Sequence, residues 1–224
     1  MLTFYYHPLS PISRRVWLAL LEKEILFKSI IVDLSKREQF QSDFVVLSPF
    51  HHIPVILEDG FRVIESLAIL DYLEHQYPQL PLVPTDNREK TTMRMVQMVT
   101  VNELMPKISK LVNADNIPLS KDIEDQLSIA LKFLNNSLGN QLYFGGDKLN
   151  LADIVVGATV PLFCRLGLEI SSYPALNRWC NEITARSAWT RTNPNDEDFY
   201  AWRTLLQRWI KVAIKRQIRQ HQHL

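Results

Sequence analysis

The sequence feature that most constrains the fold is a proline-rich stretch, YPQLPLVPTD, which separates two differently patterned halves of the chain. Three prolines fall within seven residues of this stretch. Because proline has a fixed φ and no N–H donor, such a run ends a helix and forms a short, semi-rigid connector. We therefore expect two domains, residues 1–78 and 89–224, joined by a linker at 79–88. A chain of 224 residues is long enough to give each domain a core.

The half before the prolines alternates short apolar runs with helical periods. The runs are LTFYY, FKSIIVDL, PVIL and RVI, with helical spacing after the first run and after the last. The last two runs are joined at Asp59-Gly60, a dipeptide typical of a two-residue hairpin turn. The order of elements is β-α-β-α-β-β-α, so the sequence predicts an α+β first domain.

The half after the prolines shows long amphipathic periods and no comparable strand pattern, so it is expected to form an all-helical bundle. Its last period carries six basic residues and no acid. Such a helix either docks its apolar face on the domain or approaches an anionic surface, and docking is the commoner behaviour. The predicted helices span about 89–112, 121–138, 151–166, 174–186 and 199–219.

Composition excludes several classes of function. The chain has 25 basic and 24 acidic side chains, so no overall field would attract nucleic acid. Its two cysteines, Cys164 and Cys180, do not make the dense disulfide framework of a small secreted protein, and a reducing cytoplasm suits them best. No segment approaches eighteen uncharged apolar residues, and MLTFYYHP lacks the features of a signal peptide. We expect a cytoplasmic protein without a nucleic-acid partner or a membrane contact.

The segment HHIPVILEDG places a proline directly before a strand that must lie inside the sheet. An ordinary Pro54 would remove a hydrogen-bond donor from the sheet. A cis peptide bond between Ile53 and Pro54 would instead turn the backbone and leave the amide and carbonyl of Ile53 free for a bound guest. Cis prolines are uncommon, and this spacing by itself is a weak indication.

Glu65 and Ser66 end a strand and begin a helix in VIESLAILDYL. The first-turn amides, the helix dipole and the serine hydroxyl would form a site for a carboxylate, and Glu65 could hold an ammonium group beside it. An amino-acid headgroup carries both of these charges. Without further context, the commoner alternative is that Ser66 caps the helix and Glu65 is solvated.

Ser10 precedes Pro11 and the helix from Ile12 in YYHPLSPISRRVWLALLEKE, an order typical of a helix start. As a cap, Ser10 would satisfy a backbone amide. As a catalyst, its hydroxyl would donate to a bound thiol at the positive helix end, lowering the pKa of that thiol. A hydroxyl cannot form a disulfide, so it would activate a thiol carried by a cofactor. Ser13 and Tyr5 are rival donors.

Together, SPISRRV, SPFHHIPVILEDG, ESLAILDYL, the proline linker and the all-helical second half resemble a cytosolic glutathione transferase of the serine type. The resemblance covers nearly the whole chain. It extends to LNLADIVVGA, in which Asn150 and Asp153 have the capping-box arrangement of the family's helical domain. It implies a thioredoxin-like first domain that binds glutathione, and a helical domain that shapes a pocket for an electrophilic second substrate.

The resemblance also implies roles for individual residues. Ser10 matches the catalytic serine that stabilises the glutathione thiolate. Ile53 matches the residue whose backbone pairs with the cysteinyl part of glutathione. Glu65 and Ser66 match the pair that holds the γ-glutamyl end. We expect these four residues to lie around one site.

The glycine end of glutathione is matched less closely. The family often has lysine or glutamine where this chain has His52, and Gln39 falls near another glycine-end contact. Because the loop reads His51-His52, this contact could depend on pH through an imidazole. Phe50 resembles the aromatic key that inserts into the partner subunit in some classes, which implies a homodimer.

The expected function is conjugation of reduced glutathione to hydrophobic electrophiles, a detoxification reaction. The same scaffold could serve a glutathione-dependent isomerase or peroxidase, or a non-catalytic binding protein that docks a partner through its basic tail. In this family a terminal helix can lean over the electrophile pocket, so Trp202 or its neighbours are candidates for lining it. Two histidine pairs, His51-His52 and His221 with His223, lack further ligands at a suitable spacing, so no metal site is expected.

Overall fold

A four-stranded sheet forms the centre of the first half. The computed structural model describes residues 1–113 and 117–221, the side chains of 213–221 excepted. The strands are β1 (Thr3–Tyr6), β2 (Lys28–Ile31), β3 (Val55–Glu58) and β4 (Phe61–Ile64). Strand β1 runs parallel to β2 and antiparallel to β3, and β3 forms an antiparallel hairpin with β4. The order across the sheet is therefore β2-β1-β3-β4.

The turn between β3 and β4 falls at the predicted dipeptide. Asp59 and Gly60 both have positive φ, 48° and 82° respectively. A two-residue turn of this hand matches the right-handed twist of the two strands, and glycine adopts positive φ without steric cost. The local sequence thus determines the register in which β3 and β4 pair.

Three helices complete the first half. Helices α1 and α3 pack against each other. Leu20 of α1 and Ile69 and Leu73 of α3 are buried in the same hydrophobic core. The predicted order β-α-β-α-β-β-α is confirmed. These helices are α1 (Pro11–Glu22), the short α2 (Ser42–Val45) and α3 (Ser66–Gln76).

The second half is helical, as predicted. In the described part of the chain after the prolines, helices of four to 26 residues follow one another without a named strand. They are α4 (Asn87–Val99), α5 (Ile108–Leu111), α6 (Lys121–Leu138), α7 (Leu151–Arg165), α8 (Pro174–Thr184), α9 (Ser187–Thr192) and α10 (Asp196–His221).

Some predicted helix boundaries are wrong. The helix predicted over 89–112 is broken, because Thr100–Leu104 form a π-helical turn and Met105–Lys107 a 3-10 turn between α4 and α5. Pro106 explains the break, since it lacks an N–H donor and its ring clashes with the preceding turn of an α-helix. The last helix begins at Asp196 rather than at residue 199.

Helix α7 is buried along most of its length and begins with the predicted capping box. The side-chain oxygen of Asn150 accepts a hydrogen bond from the amide of Ala152 at 2.9 Å. The carboxylate of Asp153 accepts one from the amide of Asn150, also at 2.9 Å. Trp179 donates its Nε1–H to the same carboxylate at 2.8 Å. The cap therefore also fastens α8 to the start of α7.

A proline inside α7 creates the attachment point for α9. Pro161 has no N–H to donate to the carbonyl of Gly157, one turn earlier. Trp189 supplies the missing donor, because its Nε1–H lies 2.8 Å from that carbonyl oxygen. A Cβ atom at residue 157 would lie 2.7 Å from the indole ring, so this close approach requires glycine.

Helix α1 joins the two halves, since it packs against α3 on one side and α7 on the other. Near its start, Arg14 donates to the hydroxyl of Thr192 at 3.1 Å and to the carbonyl of Trp189 at 3.2 Å. At its end, Glu22 forms an ion pair with Arg186, with 2.6 Å between the charged atoms. Both ends of α1 are thereby attached to the helical half.

Candidate active site

The starts of α1 and α3 and the segment before β3 meet around one cavity of about 320 Å³. All six residues to which the sequence assigned a role in catalysis or in glutathione binding line it, although they lie far apart along the chain. They are Ser10, Gln39, His52, Ile53, Glu65 and Ser66.

Ser10 is both a helix cap and a wall of this cavity. Its side-chain oxygen accepts a hydrogen bond from the amide of Ser13 at 3.2 Å, and Pro11 is the first residue of α1. Capping uses a lone pair of the hydroxyl oxygen and leaves the hydroxyl proton available for donation. The residue therefore lies at the positive end of a helix with a free donor beside the cavity.

The two rival donors do not line the cavity. Ser13 is fully buried, and its hydroxyl oxygen accepts a hydrogen bond from the amide of His7 at 3.5 Å. The ring of Tyr5 packs against Phe44. The geometry thus favours Ser10 as the side chain that faces a bound thiol.

The peptide bond between Ile53 and Pro54 is cis, the less common of the two conformations that the sequence left open. Ile53 precedes β3, and neither its amide nor its carbonyl is hydrogen-bonded to another described residue. Both groups are therefore available to the backbone of an extended ligand that lies alongside this segment.

Glu65 and Ser66 form the start of α3 in an unusual backbone conformation. Glu65 precedes the helix with φ of 65° and ψ of 117°, and its side chain caps no amide. A non-glycine residue with positive φ is uncommon and costs about 1–3 kcal/mol, so surrounding contacts must hold it there. Ser66 is the first residue of the helix rather than its cap, so the alternative of a capping Ser66 is wrong. Glu65 is exposed, whereas Ser66 is buried, and both residues line the cavity.

The loop before the cis proline also lines the cavity. The amide of His52 donates to the hydroxyl of Ser48 at 3.0 Å, and Nδ1 of His51 lies 3.1 Å from the carbonyl oxygen of Gln39. The side-chain oxygen of Gln39 is buried and has no partner among the described residues. Sequence reasoning assigned no ligand role to Ser48, although it shapes this loop.

Trp209 of α10 also lines the cavity, together with the apolar side chains of Ile12 and Phe50. Sequence reasoning pointed to Trp202 or its neighbours, but Trp202 packs against the helical core and Trp209 lies two turns further on. Gln207 holds this part of α10 in place, because its side-chain amide donates to the carbonyl of Val112 at 2.8 Å. No local pattern distinguishes Trp209 from other apolar residues of the same helix.

Among the described side chains, those of residues 1–113 and 117–212, no group of three or more His, Cys, Asp or Glu residues is arranged to hold a metal ion. His223, a member of one histidine pair noted in the sequence, lies outside the described residues. No helix in the described ranges is both long and apolar enough to cross a membrane.

Residues 9–76 match the sequence family described as the glutathione S-transferase N-terminal domain. Residues 70–187, more than half of the chain, match the glutathione S-transferase C-terminal domain. The chain belongs to the glutathione S-transferase family. The resemblance to this family inferred from the motifs is thereby confirmed, whereas the serine-type class stays a prediction.

Similar proteins include several glutathione transferases and an isomerase. The chain is 28% identical over 183 residues to glutathione S-transferase D7 of Drosophila melanogaster, covering 80% of this chain and 82% of that protein. It is 28% identical over 193 residues to maleylacetoacetate isomerase of Rattus norvegicus, covering 83% and 88%. Its fold matches that of a delta-class glutathione transferase of Nilaparvata lugens with a TM-score of 0.80, at 24% identity and coverage of 94% and 100%.

Proposed function

We propose that this glutathione S-transferase conjugates the thiol of reduced glutathione to hydrophobic electrophiles. The observation that carries the proposal is the single cavity that joins the start of α1, the free backbone of Ile53 and the start of α3. One thiol-bearing peptide with charged groups at both ends suits this arrangement. The activities named for the similar transferases support the same assignment.

The cavity residues divide among the parts of glutathione. Glu65 provides a carboxylate for the γ-glutamyl ammonium group, while Ser66 and the first-turn amides of α3 bind the neighbouring carboxylate. The amide and carbonyl of Ile53 pair with the cysteinyl backbone. Gln39 and His52 lie around the glycyl carboxylate. These contacts fix the cysteinyl sulfur near Ser10.

Ser10 stabilises the reactive form of the thiol. Its hydroxyl proton donates to the sulfur, and the positive end of α1 favours negative charge at the same point, so the thiol pKa falls and its proton passes to solvent. The thiolate then forms a carbon–sulfur bond with the electrophile. In a substitution, the bond to the leaving group breaks and its electron pair departs with that group. In an addition, a π bond of the electrophile breaks and the resulting anion takes a proton from solvent.

We further propose that the electrophile binds on the side of the cavity lined by Ile12 and Trp209. Apolar and aromatic walls suit a hydrophobic molecule without strict selectivity. In this arrangement residues 1–78 bind glutathione, 79–88 form the linker, and 89–224 contribute the pocket for the electrophile. We propose a cytoplasmic homodimer with a role in detoxification.

The test of the catalytic assignment is the Ser10→Ala variant. The ultraviolet absorbance of the thiolate, measured against pH, should show glutathione ionising at a lower pH on the native protein than in solution, and the variant should lose this shift. The conjugation rate should fall at least about tenfold, as expected for losing a hydrogen bond to a charged group, while glutathione affinity changes little. Loss of the cap should lower stability by about 1 kcal/mol, so assays are run well below the unfolding temperature.

Ser13→Ala is the matched control, because it removes a neighbouring hydroxyl that does not face the cavity. Full activity in Ser10→Ala would refute the role of Ser10. Glutathione bound without any shift in either protein would favour a binding protein. A glutathione-dependent isomerase would convert its substrate without consuming thiol, so the amount of glutathione consumed per product separates that activity from conjugation.

A further inference from the structure

The two cysteines of the chain lie next to each other in the helical half. Cys164 is on α7 and Cys180 is on α8, and these two helices pack against each other. Both thiols are free, and that of Cys164 hydrogen-bonds to the sulfur of Cys180. Because the sequence contains no other cysteine, any reaction of a protein thiol must take place at this pair.

Both cysteines line a cavity of about 470 Å³. Pro161, one turn before Cys164, lines the same cavity. Thr184, one turn after Cys180, does so too, so each cysteine is on the cavity side of its helix. The cavity shares no lining residue with the one that contains Ser10. Thiols packed in apolar surroundings are inert, whereas these two lie beside a space that a small molecule can enter.

The contact between the two thiols makes them chemically different. A hydrogen bond from Cys164 lowers the pKa of Cys180, so the first proton to leave the pair comes from Cys180. The same hydrogen bond, burial and the charges of Cys180 and Glu169 raise the pKa of Cys164. When the Cys180 thiolate forms a covalent bond, its charge disappears and Cys164 loses its proton more readily. This order of ionisation is the one that a dithiol needs for two successive displacements.

Two arginines give the cavity a positive charge. Arg165 lines it and forms an ion pair with Asp196, with 2.8 Å between the charged atoms. Arg14 also lines it, donates to Thr192 and to a backbone carbonyl, and forms no ion pair within the described ranges. Burial and the charge of Arg165 lower the pKa of Arg14 to about 10, so it stays charged at neutral pH. Since no acid lines the described part of this cavity, it suits a ligand that carries carboxylates.

We propose that Cys164 and Cys180 form a dithiol site that is oxidised by small anionic disulfides, the class to which glutathione disulfide belongs, to give a disulfide bond between α7 and α8. The site is separate from the cavity that contains Ser10, so it goes beyond the proposed function and does not depend on it. A transient disulfide is compatible with a reducing cytoplasm, where most such bonds are catalytic or redox-sensing.

The reaction consists of two displacements. The Cys180 thiolate attacks one sulfur of the small disulfide, whose S–S bond breaks, and one half leaves as a thiolate with the electron pair. Cys164 then releases its proton to solvent and attacks the Cys180 sulfur, which displaces the second half. The two cysteines are thereby oxidised, and the small disulfide is reduced to two thiols that take their protons from solvent.

The test counts thiols and measures mass, using dithiobis(nitrobenzoate), an anionic disulfide that releases a coloured thiolate. With excess reagent, the folded native protein should release two thiolates per chain, lose the mass of two hydrogen atoms and carry no attached group. Cys164→Ser should release one thiolate and keep the other half of the reagent attached to Cys180. Cys180→Ser should react at least about tenfold more slowly than the native protein, because burial and Glu169 disfavour a thiolate at Cys164.

The preference for anions is tested by the ratio of the reaction rates with dithiobis(nitrobenzoate) and with dithiodipyridine, which is neutral. Arg165→Gln should lower this ratio by about threefold or more at low ionic strength. Arg178→Gln is the matched control, since Arg178 is on α8, donates to the carbonyls of Gly139 and Gln141 and does not line the cavity. Its rate ratio should equal that of the native protein.

Glutathione disulfide should produce the same internal disulfide, identified by mass, and dithiothreitol should reverse it. Two attached groups on the native protein would show that the cysteines react independently and would overturn the proposal, as would thiols that react only after unfolding in urea. An unchanged rate ratio in Arg165→Gln, or no reaction with glutathione disulfide, would contradict the assigned class of disulfide. None of these measurements depends on conjugation, so failure of the proposed function would not alter their meaning.

Discussion

At the scale of single residues, the structure removes an apparent conflict between two roles for Ser10. Capping requires an oxygen lone pair, whereas stabilising a thiolate requires the hydroxyl proton, so one serine can do both. Its oxygen accepts from the amide of Ser13 while the residue lines the cavity. A cysteine at this position would have introduced a redox-active thiol, which this helix start lacks.

The glycine end of the cavity offers a test of a single side chain. We expect His52→Ala to weaken glutathione binding by about tenfold, as for one lost hydrogen bond to a carboxylate. Binding of γ-glutamylcysteine, which lacks the glycyl residue, should change less than about twofold. His75→Ala is the control, since His75 is an exposed residue of α3 and does not line the cavity. Equal losses of affinity for both peptides would show that His52 shapes the loop and does not bind the glycyl carboxylate.

Residues within local motifs were predictable from the sequence, whereas two others were not. Glu65 and Ser66 stand out because a strand end, a helix start and a charge coincide there. Arg15 carries a weaker signal, a charge at a core-facing helix position. Its contacts with Ser66 and Thr159 form only when α1 packs against α3 and α7. Trp209 lies near the end of the chain, and no sequence pattern predicts that it lines the cavity.

At the scale of helices and strands, the sequence predicted the order of elements better than their limits. Alternating apolar runs and the Asp59-Gly60 turn determine the sheet because period-two patterns leave few alternatives. In the sequence, Pro106 indicates the break between α4 and α5. No comparable residue indicates the separate helix α9, because the position of α9 depends on the contact between Trp189 and Gly157.

The buried cap of α7 should make stability depend on pH. Burial raises the pKa of Asp153 to about 7, despite hydrogen bonds from the amide of Asn150 and the indole of Trp179. Between the ordinary value of 3.8 and about 7, the folded protein retains a proton that the unfolded chain releases. The contribution of Asp153 to the free energy of unfolding should therefore fall as pH rises through this interval and level off above it.

Urea unfolding of the native protein and of Asp153→Asn, at pH values from 4 to 8, checks this expectation. Subtracting the two curves removes the titration of other groups, because the amide that replaces the carboxyl group in the variant does not titrate in this range. We expect the native protein to lose stability relative to the variant up to about pH 7, and the difference to be constant above it. A difference that rises with pH would mean that the hydrogen bonds outweigh burial and that the pKa of Asp153 is lowered.

At the scale of the whole molecule, the cavity depends on how the two halves are held together. Arg14 and the Glu22–Arg186 ion pair attach α1 to the helical half near both of its ends. Thr159 of that half contacts Arg15, which contacts Ser66 in the other half. The helical half therefore contacts, through Arg15, the residue Ser66 that lines the cavity from the other half.

The proposed homodimer can be tested through Phe50, whose side chain is 61% exposed beside the cavity. A symmetric dimer would bury two such keys, so Phe50→Ala should weaken association by about 3–6 kcal/mol, on the order of a hundredfold or more in the dimer dissociation constant. Sedimentation over a range of protein concentrations measures this change. Leu26→Ala, which truncates a side chain that is 91% exposed after α1, should leave association unaffected. If Phe50→Ala remains as dimeric as the native protein, the interface lies elsewhere, and a native protein that sediments as a monomer rules out the dimer itself.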